Sequence, residues 1–135
     1  MFTSSKLQEG EIYTRETLRQ MFGITDQTLF TGIFKPAGSD SIWLFVTERK
    51  SGEMTDYHDT LEGDTLHWDG QTSGRKDALI MGHERMGLEL LVFYRRSKQQ
   101  FPGAGFTYEG RFRYRSHTGG APTHFVLQRV KTETV

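Results

Sequence analysis

Residues 66–76 read Leu-His-Trp-Asp-Gly-Gln-Thr-Ser-Gly-Arg-Lys, which sets an imidazole, an indole and a carboxylate before a loop of small residues and a basic pair. Each type has a use in holding a nucleotide. An indole face takes a stacked base, and cationic side chains take phosphate. Trp68 and an aromatic such as Tyr57 could sandwich a base whose edge is bonded by His67 or Asp69, as in base-flipping pockets. Arg75 and Lys76 follow directly, and Gly70, Ser73 and Gly74 would let backbone amides approach a phosphate closely. The plain structural reading is that Trp68 is core and Asp69-Gly70 a turn.

The basic residues extend beyond this loop. The 135-residue chain has zero formal charge, yet residues 1–67 hold 6 Lys/Arg against 11 Asp/Glu, and residues 68–135 hold 11 against 6. Between Leu88 and Lys131 eight basic residues, Arg95, Arg96, Lys98, Arg111, Arg113, Arg115, Arg129 and Lys131, face two acids, Glu89 and Glu109. Such asymmetry points to a one-sided basic face and a polyanionic partner, or else to surface charges that cancel across the fold.

Other chemistry has weaker signals. His58, His67, His83, His117 and His124 include no pair at helical metal-ligand spacing, so neither a metal nor another cofactor is expected. Asp40 precedes an apolar strand that ends in Glu48-Arg49-Lys50, which loosely matches the Asp and Glu-x-Lys of metal-dependent nucleases. A surface ion pair explains Glu48 and Lys50 equally well. No HNH motif, Gly-x-Ser-x-Gly elbow or P-loop occurs.

The elements that would carry these residues read as follows. Thr14 is a natural N-cap for a helix with Leu18, Met21 and Phe22 on one face, stopped by Gly23. A short strand is expected within Leu29–Phe34. Ile42–Val46 is continuously apolar, so both faces of that strand should be covered. Thr55–Asp59 and the stretch Gly63–Gly70 read as strands, with a turn at Leu61–Asp64. Lys76–Met86 reads as a helix weakened by Gly82. Leu88–Arg96 is a second apolar strand. Phe106–Ser116 alternates, with Phe106, Tyr108, Gly110, Phe112 and Tyr114 on one side and Arg111, Arg113 and Arg115 on the other. His117–Pro122 reads as a turn before a closing strand, Thr123–Val130. High aromatic content (13 %) with low overall hydrophobicity (35 %) favours β structure built on Phe, Tyr and Trp. The expected fold is α+β: a curled, mostly antiparallel sheet or open β-barrel with two short helices packed on it, in one domain spanning 1–135 with its core at about 10–130. No apolar run reaches a membrane span and Met1–Tyr13 has no apolar signal core, so a cytoplasmic location is expected.

The order GEIYTRETLRQMFG, IWLFVTERK, YHDTLEGDTLHWDGQ, KDALIMGHERMGLELLVFYRR, FTYEGRFRY, HFVLQRV resembles the uncharacterised domain at the C-terminus of bacterial helicase-like and restriction-type proteins. It is similar, more loosely, to the modified-DNA-reading domains of McrA-type HNH restriction endonucleases. The resemblance covers about residues 10–130. It implies a small PUA-like/SRA-like barrel that reads a modified or flipped base in a restriction, phage-defence type system. It implies a base pocket of Tyr57, His67, Trp68, Asp69 and Gln71, with phosphate held by Arg75 and Lys76. To these the basic face adds Arg95, Arg96, Arg111, Arg113 and Arg115. The expected partner is double-stranded, modified DNA, with a nuclease or helicase module in the same or a partner protein. The function expected is therefore binding rather than catalysis. The alternatives are a metal-dependent nuclease using Asp40, Glu48 and Lys50, and a protein-interaction module with a basic docking face.

Overall fold

The computed structural model describes residues 1–48, 59–70, 74, 76–120 and 123–130. Its elements run β1 (Ile12–Tyr13), α1 (Arg15–Phe22), β2 (Ile33–Phe34), β3 (Ser41–Thr47), β4 (Thr60–Glu62), β5 (Thr65–Asp69), α2 (Asp77–Gly82), β6 (Glu89–Arg95), β7 (Phe106–Gly119) and β8 (Thr123–Arg129). That is the expected order of strands and helices, and the fold is α+β. The sheet order is β2-β3-β6-β7-β8-β5-β4, with β1 added to the start of β7. β3 and β6 are parallel; the other pairs are antiparallel. Among the described residues β2 and β4 end the sheet without pairing to each other, so it is open and not a closed barrel. No helix among them is long and apolar enough to cross a membrane.

Local chemistry explains most boundaries. Thr14 accepts the Thr17 amide at 3.0 Å and starts α1; Gly23, left-handed at φ 60°, ends it. Leu18 is fully buried, but Met21 points to solvent, so the apolar stripe of α1 is narrower than expected. α2 stops at Gly82, short of the expected Met86. It has no side-chain cap, and Met86 is exposed. Thr60–Glu62 forms a hairpin with β5 through Gly63-Asp64, where a four-residue turn was expected; the expected strand at Thr55–Asp59 falls almost wholly outside the described residues. Within 29–34 only Ile33–Phe34 is strand, preceded by a 3₁₀ turn. β7 continues through His117–Gly119, residues expected to turn.

Residues 42–46 of β3 and 90–93 of β6 are unbroken apolar runs because each strand feeds two cores. Ile42, Leu44 and Val46 with Leu90 and Val92 enter one core, which is completed by Ile33, Leu66, Trp68, Phe112, Phe125, Leu127 and Ile80 of α2. Members from β2 at one end of the sheet to β5, next to the other end, meet in this core, and Leu61 of the end strand β4 packs against it, so the sheet curls around it. Trp43, Phe45, Leu91 and Phe93 enter the second core with Leu18 of α1, Phe106 and Tyr108. The Trp43 indole N–H donates to Thr3 at 2.9 Å, and the buried Glu89 carboxylate accepts from Ser4 and Ser41, fastening the N-terminal segment across the sheet.

β7 departs from its simple alternation. Val92 faces Gly110 while Phe93 faces Tyr108, so one extra residue of β7, Glu109, sits between them. This bulge moves the strand from one core to the other: Phe106 and Tyr108 join the second core, Phe112 the first. The five residues expected on one face are therefore split. Gly110 carries the bulge at φ 93°, and a Cβ there would run into the Glu9 carboxylate.

Candidate nucleic-acid interface

The face switch places the arginines. Beyond the bulge Arg111 pairs with Leu91 and shares its side of the sheet, and Arg113 follows two residues on. α1 and the N-terminal segment cover this side over β3 and β6. Over β7, β8 and β5 the same side carries polar, solvent-facing residues. Arg113 pairs with Gln128, and Gln128 with Thr65; Ser116 pairs with Val126, and Val126 with His67; Thr118 pairs with His124, and His124 with Asp69. A second irregularity between Tyr114 and Ser116 leaves Arg115 outside the ladder, where its guanidinium donates to Gln128 Oε1 at 3.4 Å. Arg111, Arg113 and Arg115 are exposed. Arg113 lies 3.5 Å from Glu84 with both side chains more than half exposed, an ion pair that water and salt screen strongly.

Period-two alternation along β5 turns Leu66 and Trp68 inward and His67 and Asp69 outward. Trp68 is 4 % exposed and stacks on Phe125 at 5.6 Å. The expected base-stacking role of Trp68 is corrected: its indole is buried in the core and presents no open face to a base. The Leu-His-Trp-Asp pattern already carried the signal, since period two joins Trp68 to Leu66 rather than to His67. Outside, His67 Nδ1 lies 3.2 Å from His124 Nε2, His124 Nδ1 lies 2.9 Å from Asp69 Oδ1, and the two imidazoles stack at 5.4 Å. The Asp69 amide donates to the buried Asp59 carboxylate at 2.9 Å. His124 was not among the expected site residues. Its position outward on β8 follows from alternation with Phe125 and Leu127, but its partnership with His67 needs the β5–β8 register.

The remaining expected residues separate. Lys76 starts α2, where Gly70 bonds the Thr123 carbonyl at 2.8 Å and the Thr123 hydroxyl bonds Asp77; it stands at the end of the sheet that carries Asp69 and His124. Arg95 is not a surface cation. It is 7 % exposed, donates to Thr47 Oγ1 at 2.9 Å and the Ala104 carbonyl at 2.7 Å, and lies 4.0 Å over the Phe106 ring. Arg15 approaches the same ring, and burial with Arg95 nearby lowers its pKa to about 10. Arg96 is exposed but lines a cleft with Glu48, Leu61, Tyr94 and Ser97 at the far end of β6. Burial and the Glu48 carboxylate together push Tyr94 up to about 12. Tyr57, Gln71 and Arg75 lie outside the described residues, as does Lys50.

Of the alternative constellation of Asp40, Glu48 and Lys50, the described residues include only the two acids. Asp40 precedes β3 and pairs with the Met1 ammonium at 2.6 Å; Glu48 follows β3. Eight residues of extended chain put their Cα atoms roughly 25 Å apart, at opposite ends of the strand. Among the described residues no three His, Asp or Glu side chains are grouped to hold a metal ion.

No protein-family model matches the chain, and no curated protein matches it. Among solved structures it is similar to a modification-dependent TagI restriction endonuclease, at 21 % identity and a TM-score of 0.52, over 93 % of this chain and 50 % of that one. The chain thus spans about half the length of the solved chain it matches, and at this identity the likeness is one of fold.

Proposed function

We propose that the chain is a DNA-binding specificity domain of a restriction, phage-defence type system, and that it reads a modified or flipped base. The observation that carries this reading is the uncovered side of β7, β8 and β5, where Arg111, Arg113 and Arg115 stand in a row on a rigid sheet. Arg111 and Arg113, at alternate strand positions about 7 Å apart, with Arg115 next to them at the second irregularity, suit successive contacts along a phosphate backbone. The shared fold with a modification-dependent restriction endonuclease supports the modified-DNA part. Base selectivity in this reading is assigned to the end of the sheet where β5 closes with Asp69 and Lys76 starts α2, together with Tyr57, Gln71 and Arg75, which lie outside the described residues. Trp68 serves as the buried support of that end. Cleavage then falls to a nuclease or helicase module in the same or a partner protein.

The test is a binding panel of single- and double-stranded oligonucleotides carrying cytosine, 5-methylcytosine, 5-hydroxymethylcytosine, N6-methyladenine or phosphorothioate, at two salt concentrations. The expected outcome is salt-dependent binding with tighter affinity for one modified duplex. Absence of affinity for every oligonucleotide at low salt refutes the reading, and binding to an acidic protein in its place favours a protein-docking role.

A further inference from the structure

Asp69, His124 and His67 form a hydrogen-bonded line across β5 and β8 on the arginine-bearing side of the sheet. Its polarity follows from the chemistry of the groups. An ionised carboxylate only accepts, so His124 turns Nδ1–H to Asp69. Neutral His124 then keeps its lone pair on Nε2 and accepts from His67 Nδ1–H. The remaining ring nitrogen, His67 Nε2, is an acceptor while the pair is neutral. One added proton makes it an N–H donor on a cationic pair backed by a carboxylate.

The surroundings favour an anion next to it. Thr60 of β4 pairs with His67, and Glu62 lies one hairpin position away. On β8 Gln128 accepts from both Arg115 and Thr65, each at 3.4 Å, which leaves its amide N–H groups to donate. β7 contributes Ser116, Thr118, Arg113 and Arg115, and the buried Asp59 stands behind the Asp69 amide. Donors from Arg115, Gln128 and protonated His67 would thus line one open sheet surface. An open surface of this kind fits a nucleic-acid backbone better than the edge of a single base.

We propose that His67, backed by His124 and Asp69, is a proton-linked contact to a phosphodiester oxygen beside Arg115 and Gln128, and that the pair takes up one proton when DNA binds. This rests on the DNA-binding reading above. Fluorescence anisotropy with a labelled duplex at pH 8 and pH 6, at constant ionic strength, tests it on wild type, His67→Gln and His124→Gln. Wild-type affinity is expected to rise about tenfold over that interval, in which imidazoles titrate. Whatever their affinity at pH 8, both variants should respond less than about twofold to pH. Calorimetry at pH 7 in two buffers of different ionisation enthalpy should show about half a proton taken up by wild type, as a tenfold change over two pH units requires, and about none by the variants. A flat wild-type response, or variants that keep the full response and proton uptake, overturns the contact and leaves DNA binding standing. A wild type that binds no duplex at either pH overturns the DNA reading and this contact with it.

Discussion

Replacing Trp68 by alanine separates a core indole from a base platform. The indole is 4 % exposed, lies in the larger core with Leu66, Phe125 and Leu127, and stacks on Phe125 at 26° between ring planes. Removing a buried tryptophan costs about 3–5 kcal/mol, because the lost burial is joined by a cavity that the surrounding sheet cannot fill. For a chain of this length each kcal/mol moves Tm by about 3–5 °C, so the expected fall is about 9–25 °C. Thermal and urea denaturation followed by circular dichroism measure it. DNA affinity taken well below the variant's Tm, and corrected for folded fraction, should stay within about twofold of wild type. Trp68→Phe keeps an aromatic partner for Phe125 and should lose about half as much stability. A Tm within about 3 °C of wild type, combined with a tenfold or greater loss of affinity, would falsify the core placement and return Trp68 to the base.

Other substitutions divide binding from folding. Arg111→Ala and Arg115→Ala should each lower the slope of log K against log salt by about 0.9 without moving Tm, as expected for one phosphate contact each. Arg95→Met should do the reverse: it loses the bonds to Thr47 and Ala104, costs about 2–3 kcal/mol, and leaves the salt slope unchanged. Gly110→Ala forces a left-handed φ and a collision with Glu9, and should destabilise by about 1–3 kcal/mol in urea titration. Tyr94 holds its proton to about pH 12 in the folded chain, whereas an unfolded tyrosine releases it near pH 10. Its contribution is therefore present below about pH 10 and lost as pH rises towards 12, and Tyr94→Phe should make that alkaline loss of stability less steep.

The order of elements was legible because its signals are local. Thr14 and Gly23 bound a helix through backbone bonds made within a few residues, and the unbroken apolar runs of β3 and β6 announced burial on both faces. The exposure of Arg111 and Arg113, either side of the buried Phe112, followed from period two alone, and so did the inward turn of Trp68, although its composition drew it towards a site. Arg95 misled for the same reason that it is buried: its charge is visible in sequence, but its partners Thr47 and Ala104 come from other parts of the fold.

What the sequence determined by itself is the α+β class, the succession of strands and the clustering of basic residues in the second half of the chain. Tertiary structure alone decided which side of the sheet those residues occupy and what stands beside them. The bulge at Glu109–Gly110 exists only against β6, and it reverses the side chains that follow as far as the second irregularity after Tyr114, so alternation read along one strand misplaced half of it. The Asp69–His124–His67 line exists only in the β5–β8 register, which brings together residues more than fifty positions apart in the chain. A slip of one residue in that pairing would turn one member of the line into the core, because the side-chain period of a strand is two.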